Sequence, residues 1–333
     1  MQVLYIGGTG EISYACVQAG AAMGQHITVF NRGRNDEPLP AGVERITGDA
    51  SDPAAYAKLG ERTWDVVCQF RAFRPEEVER DIALFTGKCG QYVFISTAMT
   101  YLKPPDRLVV TEDMPQGNPF SVGYAQNKAA MEKILLRADA AGGPARLPVT
   151  IVRPSHTYRR HFPGTLCGGD QVAWRIVHGR PIIVHGDGTS VWTMTHAEDF
   201  AFAFVRLLGN AQALGQAFHI THERGMMWNH IFQAVGSALG IEPKLVHVSS
   251  DALVRCQPAW AERLYGDMTW SVLFDNRKVR GVVGPWTCKV DIPQGMARVA
   301  AEHYGKRAGA FVPDEAENAL LDRLAREHGV PAA

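Results

Sequence analysis

The stretch VLYIGGTGEIS, Val3–Ser13, decides the fold. Four apolar residues of strand character run into a glycine-rich turn, and helix-forming residues follow. A strand that ends in glycines and opens a helix is how a dinucleotide-binding βαβ unit begins. Gly7 permits the tight turn. Gly10 lets backbone approach a pyrophosphate, and the helix start supplies free N–H groups and a positive dipole. Gly7, Gly10, Glu11 and Ile12 are therefore candidate cofactor contacts. The third small position is Ser13, a packing position that tolerates one extra hydroxymethyl group. Glu11 is the odd residue, a carboxylate where a phosphate should rest. Its side chain is expected to turn away, toward a nearby Arg or the pocket mouth.

The first half of the chain continues the pattern. Strands are predicted at 3–6, 27–30, 43–46, 66–70, 92–96 and 149–152, with helices at 12–23, 53–58, 75–86 and 124–140. That alternation predicts an α/β fold: a Rossmann-type doubly wound parallel sheet, ligands sitting at the strands' carboxyl ends. After about residue 168 the pattern loosens. Helices are expected at 174–178, 197–208 and 228–239, strands at 181–184 and 218–220, and a final helix with Asp314 as its cap. The expected division is a NAD(P)-binding domain over 1–168 and a smaller α/β substrate domain over 169–333. Segments within 192–222 are expected to return to the first.

Bulk properties narrow the function classes. The 333 residues carry 34 Lys plus Arg against 34 Asp plus Glu, so net charge draws the chain to neither nucleic acid nor an anionic membrane. No run of about 18 apolar residues and no signal-peptide pattern occurs. Six cysteines without a CxxC pair read as reduced. A cytoplasmic enzyme with a small-molecule substrate is expected.

The second strand ends in TVFNRGRN, so Asn31, Arg32 and Arg34 stand where NAD-selective sites commonly hold an Asp or Glu. Two guanidiniums and no carboxylate favour a 2′-phosphate, hence NADP over NAD. In TGDASD, Asp49 is placed to accept from an adenine amino group. FISTAMTY puts Ser96 and Thr97 at the sheet's carboxyl edge. YAQNK sets Tyr124 and Lys128 four apart on one helix face. A phenol is a poor base at neutral pH, but a nearby ammonium and an oxidised nicotinamide would favour its phenolate and make Tyr124 a proton shuttle. Gln69 follows the fourth strand beside the expected nicotinamide. Arg71 can receive an anionic substrate group, and His156 can line the pocket. His219 and His222 have no third ligand, so no metal is expected.

These motifs, with IVRPSHTY and GDGTSVWTMTHAEDF, make nearly the whole chain resemble an extended short-chain dehydrogenase/reductase of the NAD-dependent epimerase/dehydratase family. The resemblance implies a Thr97–Tyr124–Lys128 triad with Ser96 beside it. Lys128 would also hold the nicotinamide ribose, and Pro154 would lie against the nicotinamide. It implies a homodimer through helices 75–88 and 124–140. Family dehydratases carry an Asp-Glu pair where this chain has Ala98 and Met99, so elimination is not expected. Nucleotide-sugar enzymes typically hold an Arg where this chain has Trp192, with Arg263 left as a second contact. Hydride transfer at a secondary alcohol or ketone of a sugar-like substrate follows, epimerase type first. Net NADPH-dependent reduction is the alternative. RNA binding, as in plastid relatives of the fold, is the non-enzyme alternative.

Overall fold

The computed structural model describes residues 1–35 and 37–329. Its centre is a parallel sheet of seven strands: β1 (Gln2–Ile6), β2 (His26–Asn31), β3 (Glu44–Thr47), β4 (Trp64–Gln69), β5 (Cys89–Ile95), β6 (Val149–Arg153) and β7 (Gln216–His219). Their order across the sheet is β7-β6-β5-β4-β1-β2-β3. β1 pairs with β2 on one side and β4 on the other, so the winding reverses there. A crevice opens at such a switch point, beyond the carboxyl ends of the strands.

Alternation along each strand sends side chains to opposite faces. Val3 and Tyr5 of β1 join a core under α1 (Ser13–Ala22) and α4 (Ala197–Leu207). Leu4 and Ile6 join the core under α2 (Pro75–Phe85) and α3 (Tyr124–Ala140). Both faces are therefore covered, which is why these strands read as nearly unbroken apolar runs. β7 comes from the second half of the chain, between α4 and α5 (Trp228–Leu239). A third core holds Trp192, Trp228, Phe232, Met296 and Leu321 together with Ala98 and Tyr101.

Local chemistry starts the helices. Pro75 occupies the first turn of α2, and Glu77 accepts from the N–H groups of Phe73 and Arg74 at 2.6 and 2.9 Å. Ahead of α3, the Ser121 hydroxyl accepts from Ala125 N–H at 2.9 Å. Asp314 caps the last helix, α6 (Glu315–His328), on Glu317 N–H.

One helix is longer than its sequence suggests. It spans Gly169–Val177 rather than 174–178. Its glycine-rich start is held from outside: Gln171 and Arg175 hydrogen-bond Asn318 on α6, and Arg175 pairs with Asp322 at 2.8 Å. Tertiary contact overrides weak propensity there. The stretch 250–310 breaks into short helices and two π-helical turns, Leu264–Met268 and Val299–Tyr304, which no periodicity announces. All six cysteines are free. No described helix is long and apolar enough to cross a membrane.

Candidate active site

A groove of about 510 Å³ follows the switch point along the carboxyl edge of the sheet. Gly7 and Gly8 both have positive φ, +119° and +87°. A Cβ on Gly8 would stand 2.6 Å from Val29, and one on Gly7 would press on Phe70 and Arg71. Only glycine permits this turn, and it leaves bare backbone facing the groove. α1 then begins at Ser13 with no side chain capping it, so its N–H groups are open to an anion. Ser13 does more than pack: it is buried, and its hydroxyl accepts from Gly10 N–H at 3.0 Å, setting the turn's shape.

Of the predicted cofactor residues, Gly7, Gly10, Glu11, Ile12, Asn31, Arg32, Arg34, Asp49, Ser96, Lys128 and Pro154 line this groove. Gln69 does not. It is buried, donates to Asp81 at 2.6 Å and to Tyr56 at 3.1 Å, and accepts from Arg71 N–H. A buried amide must satisfy its polar atoms, and Asp81 offers a stronger partner than the groove. Asn31 is also turned to structure: it donates to Gly7 O and Thr9 Oγ1 and accepts from Gly33 N–H. Arg32 and Arg34 remain exposed at the groove. Asp49 is held below the usual carboxylate range by Ser51 N–H and hydroxyl, with Arg32 and Arg34 adding to the effect.

Glu11 turns away from the helix start. Its carboxylate accepts from the backbone N–H groups of Arg159, Arg160 and His161, at 2.8, 2.5 and 3.2 Å. Burial opposes its ionisation, but the His161 side chain and these N–H groups outweigh that and hold its carboxyl far below the usual range. Arg159 makes a two-bond contact with Glu37, at 2.8 and 2.6 Å, and lies over the Tyr14 ring. The segment 159–161 is thereby clasped across the groove, with Arg160 in its lining. Sequence reading missed Arg160 because its place depends on this long-range clasp.

At the far end of the groove stand Thr97, Tyr124 and Lys128. Tyr124 is 37% exposed, on the wall between this groove and a second cavity. Burial around its hydroxyl raises its pKa. A hydrogen bond from Thr97 lowers it, and the Asp267 carboxyl raises it further. Lys128 Nζ donates to Ala72 O and Ile95 O, at 2.8 and 2.7 Å. Burial pushes Lys128 down to about 7, with Glu77 and Glu132 pulling the other way. So the ammonium engages carbonyls, and Tyr124 is raised rather than lowered in the protein alone. Ser96 faces inward as well: its hydroxyl bonds Glu132, which pairs with Arg153 at 2.6 Å in the core.

The second cavity, about 560 Å³, is shared with the C-terminal half. Thr97, Tyr124, His156, Trp192 and Arg263 line it, joined by Glu262 and Asp267, which no motif announced. His156 stacks near Trp192, ring centroids 4.7 Å apart, and Trp192 packs on Trp228 at 4.5 Å. Burial, countered in part by Glu11, pushes His156 down to about 4, so it is neutral at pH 7. Arg71 is not in this cavity. It lines the groove instead, its guanidinium 5.4 Å from the Phe73 ring centre.

A glycine turn, an uncapped helix start and a groove leading to Tyr124 and Lys128 define a dinucleotide-binding α/β enzyme. The chain belongs to the NAD dependent epimerase/dehydratase family, whose model matches residues 3–221. A 2′-dehydrokanamycin reductase of Streptomyces kanamyceticus is 27% identical over 83% of this chain and 77% of its own length. A chloroplast stem-loop binding protein of 41 kDa from Arabidopsis thaliana is 26% identical over 74% of this chain and 65% of its own. The structure of UDP-glucose 4-epimerase from Bifidobacterium longum, in complex with NAD+ and UDP, superposes with TM-score 0.72 at 20% identity. It covers 93% of this chain and 100% of that one. That likeness is one of fold.

Proposed function

We propose that this protein is an NADP-dependent reductase of a ketone on a sugar-like substrate, with Tyr124 as its proton donor. The observation that carries the reading is the place of Tyr124 where the cofactor groove meets the second cavity, with Thr97 and Ser155 lining both beside it. A substrate in that cavity meets Tyr124 and Thr97 on the side where the groove ends. When bound, the dinucleotide supplies the hydride. The Tyr124 phenol gives its proton to the carbonyl oxygen, and Thr97 orients both by hydrogen bonding. Its raised pKa suits it to remain protonated until then. Lys128 lies one turn along the same helix and would hold the nicotinamide ribose, exchanging a carbonyl for a ribose hydroxyl.

NADP is favoured because Arg32 and Arg34 border the groove and no acidic residue stands between them. Arg32→Ala is expected to weaken NADP binding about tenfold and leave NAD binding within twofold. Titration of both cofactors by fluorescence measures it, and an unchanged ratio removes the NADP assignment. Ala98 and Met99 carry no acid or base, which argues against elimination chemistry. The reductase from Streptomyces kanamyceticus supports net reduction. A soluble homodimer through the paired helices α2 and α3 is part of the same proposal.

The epimerase reading stays as the second, favoured by the Glu11 clasp. A segment closed over the groove would retain the dinucleotide between its two half-reactions. The purified protein separates the two. Steady NADPH consumption with keto-sugars supports the reductase. Stoichiometric bound cofactor with no net redox turnover overturns it in favour of the epimerase.

A further inference from the structure

Resting on that reading of the cavity, we propose that Asp267 anchors a protonated amine of the substrate, so that the enzyme takes an amino sugar. The case begins with how the carboxyl is placed. Asp267 sits in the π-helical turn Leu264–Met268, a wide turn of the kind that recurs at functional sites. The turn is fixed from several sides. Asn118 donates to Gly266 O at 2.7 Å and to Met99 O at 2.8 Å, tying the turn to the segment after β5. Met268 O accepts from His185 Nε2 at 2.9 Å and from the Ser190 hydroxyl at 3.1 Å. Trp270 Nε1 donates to Tyr265 O at 2.5 Å. The turn that carries Asp267 into the cavity wall is thus fixed through backbone carbonyls, leaving the Asp267 carboxyl to the Trp192 indole N–H and the cavity.

What surrounds the carboxyl asks for a cation. Burial raises its pKa, against the opposing pull of Lys103 and of the Trp192 indole N–H. Lys103 is itself buried and forms no ion pair with it among the described residues. A desolvated carboxyl without a salt-bridge partner gains most from a ligand that brings positive charge. The rest of the lining agrees. Glu262 adds a second carboxylate, accepting from the Ser121 hydroxyl at 2.5 Å. The cation on the wall is Arg263, part of whose guanidinium is engaged by Thr165 O at 3.1 Å. His156 is neutral. A diphosphate needs converging cationic donors, and here it would meet two carboxylates and one guanidinium. An ammonium meets the carboxylates of Asp267 and Glu262, both of which attract it.

Geometry also limits where the amine can be. Asp267 is close enough to Tyr124 to raise its pKa. Asp267 and Tyr124 line the same cavity, so one bound substrate can present an amine to the first and its reacting carbon to the second. The amine also cancels part of the negative field that keeps the phenol from giving up its proton, so binding the right substrate favours the transfer.

The test is a binding comparison that needs no turnover. Glucosamine and glucose are titrated by ligand-observed NMR into the NADP-loaded protein and into Asp267→Asn. The wild-type protein is expected to bind glucosamine at least about tenfold more tightly than glucose. In Asp267→Asn the two affinities should fall within about twofold of each other, with NADP binding unchanged. Equal affinity for the two sugars in the wild type overturns the proposal, as does a preference that survives in Asp267→Asn. Failure of the hydride-transfer reading would leave the amine preference intact. Keto-sugar turnover combined with equal binding of both sugars defeats the amine assignment alone.

Discussion

Tyr124→Phe is expected to lower keto-sugar reduction by about 10²- to 10⁴-fold, with NADPH affinity and the unfolding midpoint unchanged. The change removes one oxygen from a ring that is already 37% exposed, so little packing is lost. The Tyr124 hydroxyl stands where the two cavities meet, and Thr97 lines both beside it. Thr97 can polarise a carbonyl but has no comparable acidity to complete the transfer. Steady-state kinetics with a parallel NADPH titration make the test. Turnover within tenfold of wild type would remove Tyr124 as the proton donor. Loss of NADPH binding would instead mark it as part of the cofactor site.

The second large effect concerns stability. Glu132→Ala is expected to cost about 3–5 kcal/mol, measured by urea unfolding. Glu132 lies on α3 one turn beyond Lys128 and is 1% exposed. Arg153, at the end of β6, reaches it with both Nε and Nη2, while its other terminal nitrogen donates to Tyr101 and to Glu112 O. Removing the carboxylate leaves a guanidinium in the core with only neutral partners. The double variant Glu132→Leu with Arg153→Met is expected to recover much of the loss, because it strands no charge. A single-variant cost below about 1 kcal/mol would show that Arg153 finds compensation elsewhere.

Local rules account for what the sequence disclosed. The strand, turn and helix of residues 3–22 are adjacent in the chain, and each obeys its own propensity. Tyr124 and Lys128 share a helix face by simple period. Asp49, Arg32 and Arg34 follow strand ends, and strand ends in a parallel sheet face the crevice. The misplacements come from side-chain competition. Gln69 is at a strand end too, yet Asp81 and Tyr56 draw it under the sheet. Lys128 is on the right face, yet carbonyls of Ala72 and Ile95 occupy it. Asp267 was illegible for another reason. Nothing in the string LYGDM signals a π turn, and apart from Trp270 the partners that fix it lie between 78 and 148 residues away. The diphosphate question raised by Trp192 could be asked from sequence, but its answer needed the carboxyls facing it.

The Glu11 clasp bears on the order in which a ribosome makes this protein. The glycine turn emerges well before Arg160, which closes over it and lies 149 positions after Glu11. Until that segment leaves the exit tunnel, the Glu11 carboxylate has none of its three backbone donors. It then sits free beside an anion-binding helix start, and its charge competes with any phosphate for that field. A chain ending before Arg159 therefore lacks both this clasp and the β7 strand of the sheet. Translation past residue 161 converts the same carboxylate from a rival of the cofactor into the fastener of its cover.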